Sequence, residues 1–234
     1  MLSGYKKYGK IYLRAYPVIK EIIMKVLLVN GSPHEHGCTY TALCEIEKTL
    51  NECGIDTEIF WIGNKPIGGC IACMKCRELK KCVFDDVVNE ARIKAYEADG
   101  FVFGTPVHYA APSGNITSFM DRLFYSEACG NKAAAFYLKP AAAITVARRA
   151  GTTAAFDQMN KYFTISQMPI VSSKYWNMVH GAFAEQVNED KEGLLTMRVL
   201  ARNMAYMLKC LKAGKDAGVP LPEKEKGVST NFIR

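Results

Sequence analysis

No apolar run in these 234 residues approaches the roughly 20 needed to cross a bilayer. The N-terminal stretch also lacks the uninterrupted apolar segment of a secretory signal, so a cytoplasmic protein with no membrane span is expected. A disulfide framework is a poor fit as well: the nine cysteines are odd in number, and four of them crowd residues 70–82 of a chain that is not small. Charge of one sign is not dominant. Lys and Arg total 30 against 23 Asp and Glu, a net of +7. Much of that excess sits in residues 1–23, where Lys6, Lys7, Lys10, Arg14 and Lys20 oppose Glu21 alone. The remainder is only mildly basic, which argues against a nucleic-acid partner.

What is present is 49% hydrophobic residues in a chain long enough for one large domain. Residues 1–23 do not resemble the rest. They read as an upstream-start artefact, an ordered arm, or a membrane-surface segment with Tyr5, Tyr8, Tyr12 and Tyr16 near helical spacing. Met24 opens the expected domain, 24–211, and the Gly-, Pro- and Lys-rich residues 212–234 form a tail. Short apolar runs alternate with helix-like segments, the pattern of a parallel sheet covered on both faces. Strands are expected at Val26–Val29, Thr57–Trp61, Gly100–Phe103, Ala141–Val146 and Pro169–Ser173. Helices are expected near Thr39–Cys53, Asp86–Tyr96, Ser113–Ser126, Thr152–Phe163 and Lys191–Leu211. In such an α/β sheet a ligand sits beyond the carboxyl ends of the strands, so the loops after strands one, three and four should build the site.

The first of these loops runs Asn30-Gly31-Ser32-Pro33-His34-Glu35-His36-Gly37-Cys38-Thr39 into a helix. Strand, small polar loop and helix N-terminus make an anion site, with Ser32 and Thr39 as hydroxyl donors. The spacing suits neither a dinucleotide fingerprint nor a triphosphate loop, so a monophosphate fits better. Without a ligand the same residues would be a turn and a helix cap. The loop resembles the GSPR-x-x-G-N-T phosphate loop of NADPH-dependent FMN reductases, with His34 in place of Arg and Cys38 in place of Asn. After the third strand, Phe103-Gly104-Thr105-Pro106-Val107-His108-Tyr109 is similar to the G-[ST]-P-V-[YH] motif of the same family, followed by a helix carrying Asp121-Arg122. The fourth loop, Ala147-Arg148-Arg149-Ala150-Gly151-Thr152-Thr153, and the stretch Tyr175–Gly181 extend the likeness.

That resemblance implies a flavodoxin-like three-layer sandwich with a five-stranded parallel sheet in the order 2-1-3-4-5, binding FMN. It places the phosphate at Ser32, His34, Gly37, Cys38 and Thr39, and the ring at Pro106, Val107, His108, Tyr109, Arg148, Arg149, Gly151, Thr152 and Thr153. A loop histidine is more often structural than chemical, and an Arg pair can equally sit in surface salt bridges.

The cysteine run Cys70-x2-Cys73-x2-Cys76-x5-Cys82 places four thiols where successive thiolates can reach adjacent corners of a cubane. Lys75, Arg77, Lys80 and Lys81 would offset their negative charge. Structural zinc, a redox disulfide and idle packing thiols compete with that reading. The motif matches iron-sulfur flavoproteins, in which a [4Fe-4S] cluster exchanges electrons with FMN. Cys38, Cys44, Cys53, Cys129 and Cys210 have no ligand spacing and read as small core hydrophobes. The expected function is an FMN-dependent oxidoreductase using NAD(P)H as cosubstrate and passing electrons to a small-molecule acceptor such as a quinone, or to a redox protein. An electron carrier or redox sensor without small-substrate turnover is the alternative, and a homo-oligomer, dimer or tetramer, is implied by the family.

Overall fold

The computed structural model describes residues 24–223 and 225–232, so the N-terminal segment 1–23 and its three readings lie outside the described residues. The elements in chain order are β1 (Lys25–Asn30), α1 (Cys38–Glu52), β2 (Asp56–Trp61), α2 (Cys76–Leu79), α3 (Val87–Glu97), β3 (Gly100–His108), β4 (Ala111–Pro112), α4 (Gly114–Asn131), β5 (Ala141–Ala147), α5 (Thr152–Ile165), β6 (Met178–His180), α6 (Ala184–Glu189) and α7 (Lys191–Asp216). Five parallel strands lie in the order β2-β1-β3-β5-β6, while β4 folds back antiparallel on the end of β3. With that hairpin strand set aside, the order is the expected one.

Apolar residues occur on both faces of the central strands because helices cover both. Leu27, Val29, Phe101 and Phe103 point to one face and pack with Val88, Phe119, Phe124, Phe136 and Phe163. Val26, Leu28 and Val102 point to the other and meet Leu43, Ile46, Leu200 and Met204. The aromatic face is the side of α3, α4 and α5. It fits because β5 contributes only Ala141 and Ala143 there, leaving volume for the rings.

The fifth strand is a correction. It is not Pro169–Ser173 but Met178–His180, and the earlier segment makes a single bridge, Ala141 to Ile170. Pro169 offers only its carbonyl, to Ala141 N; Val171 N returns one bond to Ala141 O, and the chain then leaves the sheet. Ser173 Oγ turns to Thr196 O, and Asn203 holds Ser172 O. The gap is bridged by the buried Asn177, whose side-chain amide donates to Ala143 O before the backbone pairs again at Thr145. A second correction concerns the cysteines outside the cluster motif. Cys38 and Cys53 are half-buried and pack against the core as expected, but Cys44 and Cys129 are only half-buried outside it and Cys210 is exposed, because these three fall off the helix stripes that face the sheet. Among the described residues no helix is long and apolar enough to cross a membrane.

Candidate functional site

In a doubly wound sheet each helix that follows a strand begins at the carboxyl edge of the strands. Among the described helices of eight residues or more, α3 and α7 start with a side-chain cap: Asp86 accepts from Val88 N, and Asp190 from Gly193 N. The helices α1, α4 and α5 have no such cap. These three are the helices that leave the loops after β1, after the β3–β4 hairpin and after β5. Their first N–H groups lack side-chain acceptors, and the positive ends of their dipoles sit at one edge of the sheet.

The loop after β1 is held both from within and from β2, β3 and the start of α4. Asn30, fully buried, accepts from Ser32 N at 3.1 Å and donates to Glu35 O at 2.9 Å. His34 N donates to Ser32 Oγ, and the Trp61 indole N–H donates to Ser32 O at 2.8 Å. Gly31 N reaches Gly104 O at 2.8 Å, and a Cβ at Gly31 would lie 2.8 Å from that same oxygen, so only glycine permits the approach. Thr39 is buried, yet its hydroxyl has no hydrogen-bond partner among the described residues. An orphaned hydroxyl costs about 1–3 kcal/mol, and here it stands in the first turn of an uncapped helix. Cys38 Sγ bonds Gly181 O at 3.7 Å, and burial pushes its thiol pKa up, so it stays protonated. His34 points to solvent.

The loop after β3 is a two-residue hairpin, with His108 paired to Ala111 and both Tyr109 (φ 49°) and Ala110 (φ 60°) left-handed. That is the backbone of a type I′ turn, which Asn-Gly adopts easily and Tyr-Ala does not. Its tip rests on the loop after β5: a Cβ at Gly151, itself at φ 92°, would come within 2.8 Å of Ala110 Cα. Ser113 Oγ donates to Gly31 O, and Thr145 Oγ1 to Thr152 O. The three loops therefore touch in series, bringing Ser32, Gly37, Thr39, Pro106, Val107, Gly151 and Thr152 to one edge. His108, Tyr109, Arg148, Arg149 and Thr153 are exposed around them, and neither arginine forms an ion pair among the described residues.

The cysteine loop leaves the same edge, after β2. Left-handed residues at Ala72 (φ 53°) and Met74 (φ 59°) turn the chain on both sides of Cys73, and Lys80 (φ 59°) ends the short helix α2. As a result Cys70, Cys73, Cys76 and Cys82 all line one narrow cavity of about 20 Å³, with Phe84, Arg122 and Tyr125. Among the described residues, no three His, Cys, Asp or Glu side chains close on a point that would hold one metal ion. Cys76 is buried, Cys82 half-buried, and Cys70 and Cys73 exposed. Asn89 holds the loop's far end by accepting from Cys82 N and donating to Cys82 O and Phe84 O. Arg122, 2% exposed, donates to Cys82 Sγ at 3.2 Å, to Gly68 O at 3.3 Å and to both oxygens of Asp86 at 2.8 Å. Its burial works against the charge, but the bonds to Asp86 and Cys82 outweigh it and hold the guanidinium pKa above its ordinary value.

Known proteins resemble this arrangement at two levels. The family profile described as NADPH-dependent FMN reductase matches residues 24–183. The chain belongs to that family. It is an FMN-dependent oxidoreductase. An iron-sulfur flavoprotein of Methanocaldococcus jannaschii is 30% identical over 197 residues, covering 81% of this chain and all of that one. An iron-sulfur flavoprotein of Methanosarcina thermophila is 25% identical over 195 residues, covering 82% of this chain and all of its own. Among solved structures, RosB with a bound 8-demethyl-8-formylriboflavin-5'-phosphate superimposes with TM-score 0.63 at 14% identity, over 90% of this chain and 94% of that one. An archaeal flavodoxin does so at TM-score 0.53 and 15% identity, over 80% and 99%. At such identities these structures speak for the flavodoxin-like fold alone.

The residues of this FMN reductase family member fit FMN: a buried hydroxyl without a partner among the described residues and an uncapped helix N-terminus could take a phosphate, and glycines let the three loops approach one another. Sequence reasoning missed the residues that hold the loops. Asn30 and Asn89 carried little signal, because an Asn at a strand end or in a helix is common. Arg122 carried a real one: with Glu127 it is one of two charges on the otherwise apolar buried side of α4, beside Ile116, Phe119, Met120 and Leu123.

Proposed function

We propose that this FMN-dependent oxidoreductase has a second redox centre, a [4Fe-4S] cluster held by Cys70, Cys73, Cys76 and Cys82, and that it takes electrons from NAD(P)H and passes them to a small acceptor or a redox protein. The observation that carries the proposal is the cavity lined by all four thiols, built by a loop that leaves the sheet at the same strand edge as the flavin loops. Four thiols around one space suit a multi-iron cluster, whereas structural zinc usually takes two Cys pairs separated by a longer spacer. As it stands the cavity has room for about one water. The added volume has to come from the exposed rim that bears Cys70 and Cys73, while Cys76 and Cys82 stay held.

When bound, FMN supplies two-electron chemistry with the nicotinamide and one-electron chemistry with a cluster or partner. The chain's own residues bind and orient. Ser32, Gly37 and Thr39 hold the phosphate through hydroxyl and backbone donors at the α1 N-terminus, flanked by His34 and Cys38. Pro106, Val107, His108 and Tyr109 on the strained hairpin, and Gly151, Thr152 and Thr153 opposite, grip the ring. Arg148 and Arg149, exposed and without an ion pair among the described residues, can neutralise negative charge at its rim. A second copy of the chain covering the exposed Tyr109, Tyr175 and Trp176 would exclude water from that rim.

The test is the visible spectrum of protein purified without air, with iron and acid-labile sulfide measured on the same sample. A flavin spectrum under a broad brown shoulder, with about four irons per chain, is expected. A yellow, iron-free protein would leave an FMN reductase with redox-active or idle thiols. Bleaching of the flavin by NADPH or NADH is expected too; if only a reduced redox protein bleaches it, the chain is an electron carrier.

A further inference from the structure

Arg122 has no part in the flavin loops, yet it is the largest fully buried side chain described and the one buried cation aimed at a cysteine sulfur among the described residues. Its five donors are spread over both ends of the cysteine loop. Gly68 O lies just before Cys70, and Cys82 Sγ, Phe84 O and the Asp86 carboxylate lie at and after the last cysteine. The Phe84 ring closes over the guanidinium at 4.8 Å. Asp86 is at the same time the cap of α3, so the ion pair also fixes where the loop re-enters the fold.

We propose that Arg122 is the positioning residue of the metal loop: it clips the loop's two ends together beneath the cluster and places a fixed positive charge against the sulfur of Cys82. Resting on the cluster reading above, the inference adds two separable consequences. Without the clip, Gly68 and Cys82 are no longer tied through one side chain, and the four thiols lose their common cavity. Without the charge, one-electron reduction adds a negative charge to a site that has lost its nearest buried cation, so the reduced state is disfavoured and the midpoint potential falls. A lysine keeps the charge but not the planar fork, so it separates the two effects.

The experiment uses the full chain, reconstituted anaerobically with iron, sulfide and FMN, as wild type, Arg122→Met and Arg122→Lys. Iron, sulfide and flavin are counted, and the cluster potential is read by a redox titration followed by electron paramagnetic resonance. Arg122→Met is expected to lose iron several-fold while FMN stays near wild type, and its residual cluster to titrate at a lower potential. Arg122→Lys is expected to lose iron as well but to keep a potential near wild type. Wild-type iron content and an unchanged potential in Arg122→Met overturn the inference while leaving the cluster reading intact. Should Arg122→Met also shed FMN through general unfolding, Arg122→Lys decides, and iron equal to wild type in that variant overturns the clip. A wild type that takes up no iron sinks the cluster reading, and this inference with it.

Discussion

The loops after β1 and β2 begin side by side on neighbouring parallel strands, and they are built in opposite ways. The first is short and largely local: Asn30 and Ser32 bond within a few residues, Trp61, Gly104 and Ser113 add one bond each from outside, and the Thr39 hydroxyl, without a partner among the described residues, stands in the first turn of uncapped α1. The second is long and irregular. It is held by side chains from distant elements: Asn89 on α3, Arg122 on α4, and Asn115, also on α4, bonding Ile67 N and Lys65 O. A phosphate needs only backbone donors at a helix end, which a few residues provide. Several thiols around one space need a longer excursion, and such a loop is ordered only by what it leans on.

The sharpest way to break that comparison is to remove one of the proposed cluster ligands. Cys76→Ser should abolish nearly all iron binding and leave flavin content unchanged, as read by metal and flavin analysis of one sample; parallel loss of FMN would mean the loops are not independent. Next in size, Asn89→Ala removes three hydrogen bonds to the backbone of Cys82 and Phe84 and should cost about 2–3 kcal/mol in urea unfolding, about 1 kcal/mol for each of these part-buried bonds. Thr39→Val acts the other way on the first loop. FMN binding should weaken about tenfold or more, the ~1.5 kcal/mol of a hydrogen bond to a charged acceptor. The flavin-free protein should be no less stable, because the hydroxyl removed has no partner among the described residues. Fluorescence titration and unfolding of the apoprotein check the two halves.

Ala110→Gly relieves a left-handed alanine and should raise stability by about 1 kcal/mol. A fall instead would show that the alanine methyl is needed where the hairpin tip rests on Gly151. The smallest effect concerns the strands that feed the two loops, joined by Lys25 of β1 and Glu58 of β2 at 2.5 Å, with Lys94 on the same carboxylate. Burial alone would raise the Glu58 pKa, but the bonds from Lys25 and Lys94 outweigh it and lower it. Its contribution is therefore present above the ordinary carboxylate pKa and lost as pH falls through the depressed folded value. Glu58→Gln should flatten the acid limb of the stability curve by no more than about 1 kcal/mol for so exposed a pair.

Legibility followed the same division. Val26–Val29 and Gly100–Phe103 were readable as buried strands because runs of β-branched and aromatic residues bounded by Gly and Asn leave little else open. Pro169–Ser173 was misread because it has a strand's composition but loses its place to Met178–His180, a choice made by Asn177 and the partners of Ser172 and Ser173 far along the chain. Ser32 and Thr39 could be proposed from spacing, but only the fold shows that Asp86 and Asp190 cap their own helices while α1, α4 and α5 start open.

By itself the sequence determined the alternation of strand and helix, the small polar loop that leads into α1 and the presence of four closely spaced thiols, because each depends on neighbours a few residues apart. Only the tertiary structure decided which strand closes the sheet, that three loops from different strands touch around glycines, and that a buried arginine from α4 grips both ends of the cysteine loop. Those depend on contacts between residues tens of positions apart, and local spacing carries almost no record of them.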